Sequence, residues 1–151
     1  MSDDLAEEVK VVYRRTSNLM ELMGFTIVIL FALNYYLSGL HPASTSSTSG
    51  VTQVVFTVIV LVIGIGAIML RRFMFRAAKL ETIQVRSGIK GLLAYLSQIS
   101  VTLAFVADFA AICGFISGML TGDTAHSSSL ILVGVVILAV SFPRRAAWLR
   151  S

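Results

Sequence analysis

The sequence predicts an all-α, polytopic membrane protein in which four transmembrane helices form two helical hairpins, with both termini on the cytoplasmic side. Three observations support this fold class. Hydrophobic residues make up 56% of the 151-residue chain and charged residues only 13%, whereas about a quarter of the residues in soluble proteins are charged. The mean hydropathy is +0.86. Four long apolar stretches alternate with polar segments, so we expect one membrane domain, 1–151, with lipid as its solvent.

Residues 1–18 predict a cytoplasmic amphipathic arm. Ser2 is a suitable helix N-cap, and four acidic residues follow it near the positive end of the helix dipole. Leu5, Val9 and Val12 fall on one helical face. This pattern is typical of a helix that lies at the membrane surface. A solvated extension of the first span is the alternative.

Transmembrane helices are predicted over residues 20–40, 51–70, 91–120 and 129–148. The first two match the roughly 20 residues that a helix needs to cross a bilayer. The third is long enough to tilt or to project into the cytoplasm. The fourth is apolar only to residue 142, and it reaches full length if the helix continues to 148 or the bilayer thins locally. A long polar stretch precedes the first span, which argues against a cleaved signal peptide.

A faint internal repeat indicates that the four spans are two related hairpins. Leu37-Ser-Gly-Leu40 ends the first span much as Ile116-Ser-Gly-Met119 ends the third, and an Arg-Arg pair ends both the second and the fourth. Chance similarity between apolar segments is the alternative explanation.

The distribution of basic residues predicts the orientation in the membrane. The linkers at 41–50 and 121–128 contain no Lys or Arg, and all basic residues lie in the arm, in a basic cytoplasmic loop predicted at 71–90, or in the C-terminal tail. The positive-inside rule therefore predicts a multi-pass protein of the plasma membrane (the bacterial inner membrane) with both termini cytoplasmic. Because the charges flank apolar runs instead of forming a basic face, nucleic acid is not an expected partner.

Six of these basic residues are candidate contacts for a ligand or a partner. They could hold anionic lipid head groups or dock an acidic protein, although their role in membrane orientation already accounts for their presence. The six are Arg71, Arg72, Arg76, Lys79, Arg144 and Arg145.

Asp108 is the one acidic residue inside an apolar run, twelve residues before the end of the third predicted span. At 1.5 Å per residue this position is near the middle of the bilayer. A carboxylate costs a few kcal/mol there and usually faces protein or water, or takes up a proton. Asp108 is therefore our candidate for proton or cation binding. The alternative is a hydrogen bond to a neighbouring span, with Thr102, Thr57, Asn34 and Ser141 as candidate donors.

Small residues predict a separate packing face on the third span. Ala110, Gly114 and Gly118 recur every four residues, a spacing that lets two membrane helices approach closely. At 100° per residue this ridge points away from Asp108. Gly64 and Gly66 in the second span are a weaker form of the same signal. Asn34 lies deep in the first span, where it could bridge two helices.

Three segments together resemble the proteolipid subunit c of rotary ATP synthases, in its two-hairpin form. They are Gly64-Ile-Gly-Ala67, the basic turn Arg71-Arg-Phe-Met-Phe-Arg76, and Val106-Ala-Asp-Phe-Ala-Ala-Ile-Cys-Gly-Phe-Ile-Ser-Gly118. The resemblance covers roughly residues 60–120 and implies that Asp108 matches the ion-binding carboxylate of that family. The ending Ser141-Phe-Pro-Arg-Arg145 is similar to that of small uncharacterised four-span bacterial membrane proteins.

Other chemistry is not indicated by the sequence. No phosphate loop, CxxC or haem-attachment motif occurs, so we expect neither an enzyme nor a cofactor. Cys113 is the single cysteine, which excludes a disulfide framework and a thiolate metal cluster. His41, Asp123 and His126 lie on the same predicted side of the membrane but supply too few ligands for a metal site.

The sequence therefore favours a non-enzymatic integral membrane subunit. We expect such a subunit to assemble through its glycine-rich helix faces, as a homo-oligomer or with other subunits of a larger membrane complex. The alternative is a proteolipid-like protein that binds or translocates protons or cations through the carboxylate of Asp108.

Overall fold

The computed structural model describes residues 3–38, 47–75 and 77–142, and all regular secondary structure within them is α-helical. The helices are α1 (Asp3–Ser38), α2 (Ser47–Met74), α3 (Ala77–Thr121) and α4 (Thr124–Ser141). Each contains an apolar stretch long enough to cross a membrane, of 29, 25, 34 and 18 residues in chain order. The prediction of an all-α, multi-pass membrane protein with four candidate spans is confirmed at this level.

The predicted arm and the first predicted span form one uninterrupted helix, α1. Val9 is only 6% exposed because it packs against three leucines of α3: Leu92, Leu93 and Leu96. Thr16 is fully buried and lies 2.8 Å from the hydroxyl oxygen of Ser97. Since Thr16 donates its proton to the carbonyl of Val12, Ser97 is the donor between the two hydroxyls. The beginning of α1 is therefore packed on α3.

The segment 71–90 is largely helical and not an extended loop. It contains the end of α2 at Met74 and the start of α3 at Ala77. The helical direction changes inside α3 at Gly88, which has φ 65° and ψ −171°. That combination of angles is open essentially to glycine alone. The polar composition of 71–90 predicted a connection between spans, but most of its residues form helices readily, and Gly88 supplies the break.

The fourth helix begins earlier than the sequence predicts, at Thr124 instead of residue 129. Asp123 is its N-cap, and its Oδ1 accepts a hydrogen bond of 3.0 Å from the backbone N–H of His126. The helix ends at Ser141 because Phe142, with ψ 131°, precedes a proline that disfavours helical backbone before it. Residues 143–148 of the predicted span lie outside the described part of the chain.

Helix α3 lies at the centre of the bundle. Half of its apolar stretch is buried, the largest share of the four. Helices α3 and α4 each pack against the other three, whereas α1 and α2 do not pack against each other in the described ranges. Pairs of residues fix the relative directions of the helices. A Cβ added to Gly114 would meet Ile131, and one added to Gly118 would meet Ser127, so α3 and α4 run antiparallel. The core between them contains Ala107, Ala110 and Ile131, none of which is exposed.

Candidate functional site

Asp108 lies on α3 at the boundary between the packed face and the outward face. Ala104 and Ala111, one turn before and after it, are fully buried, whereas Phe105 and Ile112 on its other side are 61% and 40% exposed. Asp108 itself is half-buried. Its Oδ1 atom is inaccessible to solvent and has no hydrogen-bond partner among the described residues. One carboxylate oxygen is therefore enclosed without the donor that a buried oxygen normally has.

Three of the four residues predicted as hydrogen-bond donors to Asp108 bond to other groups. Thr102 donates to the carbonyl of Gln98 at 2.8 Å, and Thr57 donates to the carbonyl of Gln53 at 2.7 Å. Asn34 bonds to serines of α4. Ser141 is buried but makes no bond to Asp108 Oδ1. The structure thus does not bring Asp108 together with the hydrogen-bond partners predicted within its own chain.

The glycine ridge of α3 is covered by the chain's own helices. A Cβ added to Gly114 would lie 2.8 Å from the backbone nitrogen of Ile131, and one added to Gly118 would lie 2.5 Å from Ser127 Oγ. Ala110 is fully buried. Helix α4 contributes a matching glycine that the sequence reading missed. A Cβ added to Gly134 would lie 2.7 Å from the carbonyl oxygen of Ala107. This ridge therefore presents little surface to another chain.

The two glycines of α2 have different surroundings. A Cβ added to Gly64 would make an ordinary contact of 3.4 Å with Val133, whereas one added to Gly66 would have no atom within 4 Å. Gly66 instead lines an open apolar groove between α2 and α3. Of the glycines singled out from the sequence, Gly66 is the one left uncovered by the described residues.

A buried polar network joins α1, α3 and α4. Asn34 is 4% exposed and Ser127 is fully buried. The Ser127 hydroxyl oxygen lies 2.9 Å from Asn34 Oδ1 and 2.8 Å from the carbonyl oxygen of Gly114, so its single proton is shared between two acceptors. Asn34 also donates from Nδ2 to Ser128 at 3.4 Å. The prediction that Asn34 bridges spans is confirmed. Its partners Ser127 and Ser128 lie in the polar segment 121–128, which the sequence predicts as a linker before the fourth span.

A second polar group, which we call the Asp123 cluster, ties α2 to the turn between α3 and α4. It consists of Gln53, Thr57, Asp123 and His126. Gln53 Nε2 donates to Asp123 Oδ2 at 3.0 Å, and Thr57 Oγ1 lies 3.1 Å from His126 Nε2. The proton of Thr57 is already given to the Gln53 carbonyl, so His126 Nε2 is the donor to Thr57. Asp123 and His126 thus make structural hydrogen bonds.

No metal site is evident in the described ranges, where no group of three or more His, Cys, Asp or Glu side chains is arranged to hold an ion. The Asp123 cluster contains two such residues, and its other members offer an amide and a hydroxyl.

Several basic residues are close in sequence to members of one apolar cluster. The start of α1, the end of α2 and the start of α3 meet in an apolar cluster that contains Val9, Leu92 and Phe75. The guanidinium carbon of Arg71 lies 5.8 Å from the centroid of the Phe75 ring, a cation–π contact. Arg72 is exposed. The backbone of Lys79 is in α3, whereas Arg76, Arg144 and Arg145 lie outside the described residues.

Comparison of the chain with models of known protein families, with curated protein sequences and with solved structures found no match. The resemblance of residues 60–120 to the ATP synthase subunit c family therefore stays a prediction from the residues alone.

Proposed function

We propose that the protein is a non-enzymatic integral membrane subunit that assembles with further copies of itself or with other subunits of a membrane complex. In this proposal the four helices form two hairpins in the bacterial inner membrane, with both termini cytoplasmic. Two facts support the orientation. All Lys and Arg residues flank the spans on one predicted side, and basic residues such as Lys10 and Lys90 follow in sequence residues that belong to one apolar cluster between α1 and α3.

The observation that carries the proposal is the unpartnered carboxylate oxygen of Asp108. A carboxyl group in the middle of a span is costly unless another group pairs with it. Its outward neighbours Phe105 and Ile112 are exposed, so a helix from another chain could approach this edge of α3. We propose that such a helix supplies the missing donor. The contact would use the Asp108 edge of α3 and not the glycine ridge, because α4 already occupies the ridge.

Reversible binding of a proton or a cation at Asp108 is the second candidate function. The same lack of an internal donor favours it, because a carboxyl group that is not fixed by hydrogen bonds is free to exchange a proton. The resemblance to subunit c points in the same direction. Ion binding requires an ionisable side chain at residue 108, whereas a subunit contact requires only a side chain that forms hydrogen bonds.

Native mass measurement after gentle detergent extraction tests the subunit proposal. The wild type is expected to migrate as an oligomer or a hetero-complex. Asp108→Asn should keep that mass because an amide still hydrogen-bonds, whereas Asp108→Leu should release monomers. Thr102→Val is the matched control, since Thr102 is exposed on the same helix and bonds only within it. A monomeric wild type, or an Asp108→Leu variant with unchanged mass, would contradict the proposal.

Carbodiimide labelling separates the second candidate from the first. A protonated carboxyl group within the span should react, and the reaction should disappear in both Asp108→Asn and Asp108→Leu. Asp123→Asn is the control, because it removes a carboxyl group that already accepts hydrogen bonds from His126 and Gln53. Labelling that is the same in the wild type and in Asp108→Asn would show that the Asp108 carboxyl group does not react, which contradicts ion binding at this residue.

A further inference from the structure

An apolar groove runs between α2 and α3 on the outside of the bundle. Its volume is about 580 Å³, and its walls contain Ile63 and Leu70 of α2 and Phe105 and Phe109 of α3. Gly66 forms part of its floor, with no atom within 4 Å of the position that a Cβ would occupy. The groove is a depression that the side chains of the single chain leave unfilled.

Two basic residues of α2 follow one end of this groove. Leu70 lines the groove, and Arg71 and Arg72 follow it in the last turn of α2. Phe75 packs against the apolar cluster at this end of the bundle and holds the Arg71 guanidinium over its ring. In the described part of the chain neither arginine is paired with a carboxylate. Arg71 thus directly follows a groove-lining residue of α2, and its positive charge has no carboxylate partner among the described residues.

We propose that this groove binds an anionic phospholipid, with an acyl chain between α2 and α3 and the phosphate on Arg71 and Arg72. Arginine recognises phosphate through paired N–H donors, and basic residues next to a span attract anionic head groups. The groove extends along α2 from Ile63 to Leu70, about 10 Å at 1.5 Å per residue. A second transmembrane helix needs a contact surface over much more of the roughly 30 Å apolar core, whereas part of an acyl chain fits this length.

The lipid site and the proposed subunit contact overlap at Phe105, which lines the groove and also lies beside Asp108, but they use different polar groups. Phe109 lines the groove, but Asp108 does not, and adjacent residues on a helix point about 100° apart. The mass of the protein assembly and the number of bound lipids can be read from the same spectrum, so a failure of lipid binding is distinguished from a failure of assembly.

Native mass spectrometry of the full-length protein tests the proposal. The purified protein is titrated with phosphatidylglycerol and, separately, with phosphatidylcholine of identical acyl chains. We expect phosphatidylglycerol to bind more tightly. The double variant Arg71→Gln, Arg72→Gln should weaken phosphatidylglycerol binding about 30-fold, which corresponds to about 1 kcal/mol for each arginine. Equal binding of the two lipids by the wild type would overturn the proposal.

Two further variants test the location of the site. Gly66→Leu should fill the groove and reduce binding of both lipids while leaving the helical circular dichroism spectrum unchanged, because the space at this position is open. Arg14→Gln, Arg15→Gln removes the same charge from exposed positions on α1 and should leave binding within about twofold of the wild type. A full loss of lipid selectivity in this control, or full retention of binding by Gly66→Leu, would show that no groove site exists.

Discussion

Asn34 of α1 and Ser127 of α4 are hydrogen-bonded across the bundle, with 2.9 Å between Asn34 Oδ1 and Ser127 Oγ. Gly118 of α3 lies against both side chains, because a Cβ at this position would contact Asn34 Oδ1 and Ser127 Oγ. Three helices therefore meet at one point, where Asn34 and Ser127 are buried. Asn34 and Ser127 can form this bond because Gly118 has no side chain to occupy the space beside them.

A double-mutant cycle on Asn34 and Ser127 should reveal this bond directly. Asn34→Ala, Ser127→Ala and the combined variant are expected to give a coupling energy of about 1 kcal/mol, within the range measured for hydrogen bonds between membrane helices. The free energy of unfolding is measured by denaturation with SDS in mixed micelles. Ser129 provides the control partner, because it is exposed and bonds only to the carbonyl of Ala125 in its own helix. The Asn34 and Ser129 cycle should give no coupling, and an equal value in both cycles would contradict the prediction.

Two glycine-to-alanine changes should have different effects on the free energy of unfolding. Gly118→Ala places a methyl group against Asn34 and Ser127, and overpacking of this kind costs about 1–3 kcal/mol. Gly66→Ala meets no atom within 4 Å, so the better helix propensity of alanine should leave stability unchanged or raise it by up to about 1 kcal/mol. SDS denaturation of both variants checks the contrast. Equal destabilisation of the two would mean that the packing of α3 differs from that described.

Much of the fold follows from apolar run lengths, whereas the contacts at the candidate site do not. Four apolar stretches are enough to predict four spans. The apolar run does not predict the start of α4, because polar residues such as Ser127 precede that run, although Asp123 before Thr124 is a recognisable N-cap signal. The bond from Asn34 to Ser127 depends on which helices are neighbours and in what register. The sequence contains neither fact. For the same reason it could not tell that Asp108 lacks a partner inside its own chain.

Asp123 should stabilise the protein in two ways, and two substitutions separate them. Its Oδ1 caps α4 by accepting from the His126 N–H, and its Oδ2 accepts from Gln53 of α2. Asp123→Ala removes both interactions, and the lost cap alone costs about 0.5–2 kcal/mol. Asp123→Asn keeps an oxygen for the cap, since asparagine is as good an N-cap as aspartate. Asp123→Asn should therefore lose only the hydrogen bond from Gln53.

Gln53→Ala removes only the hydrogen bond between α2 and Asp123, because the cap of α4 does not involve Gln53. The expected order of stability in SDS denaturation is wild type first, then Asp123→Asn and Gln53→Ala at similar values, then Asp123→Ala. Amide hydrogen exchange of α2 provides an independent measurement. Asp123 holds α2 through Gln53, and His126 of α4 holds it through Thr57. Exchange in the first turns of α2 should therefore become faster in Gln53→Ala. Unchanged exchange there would mean that the Asp123 cluster does not hold α2 in place.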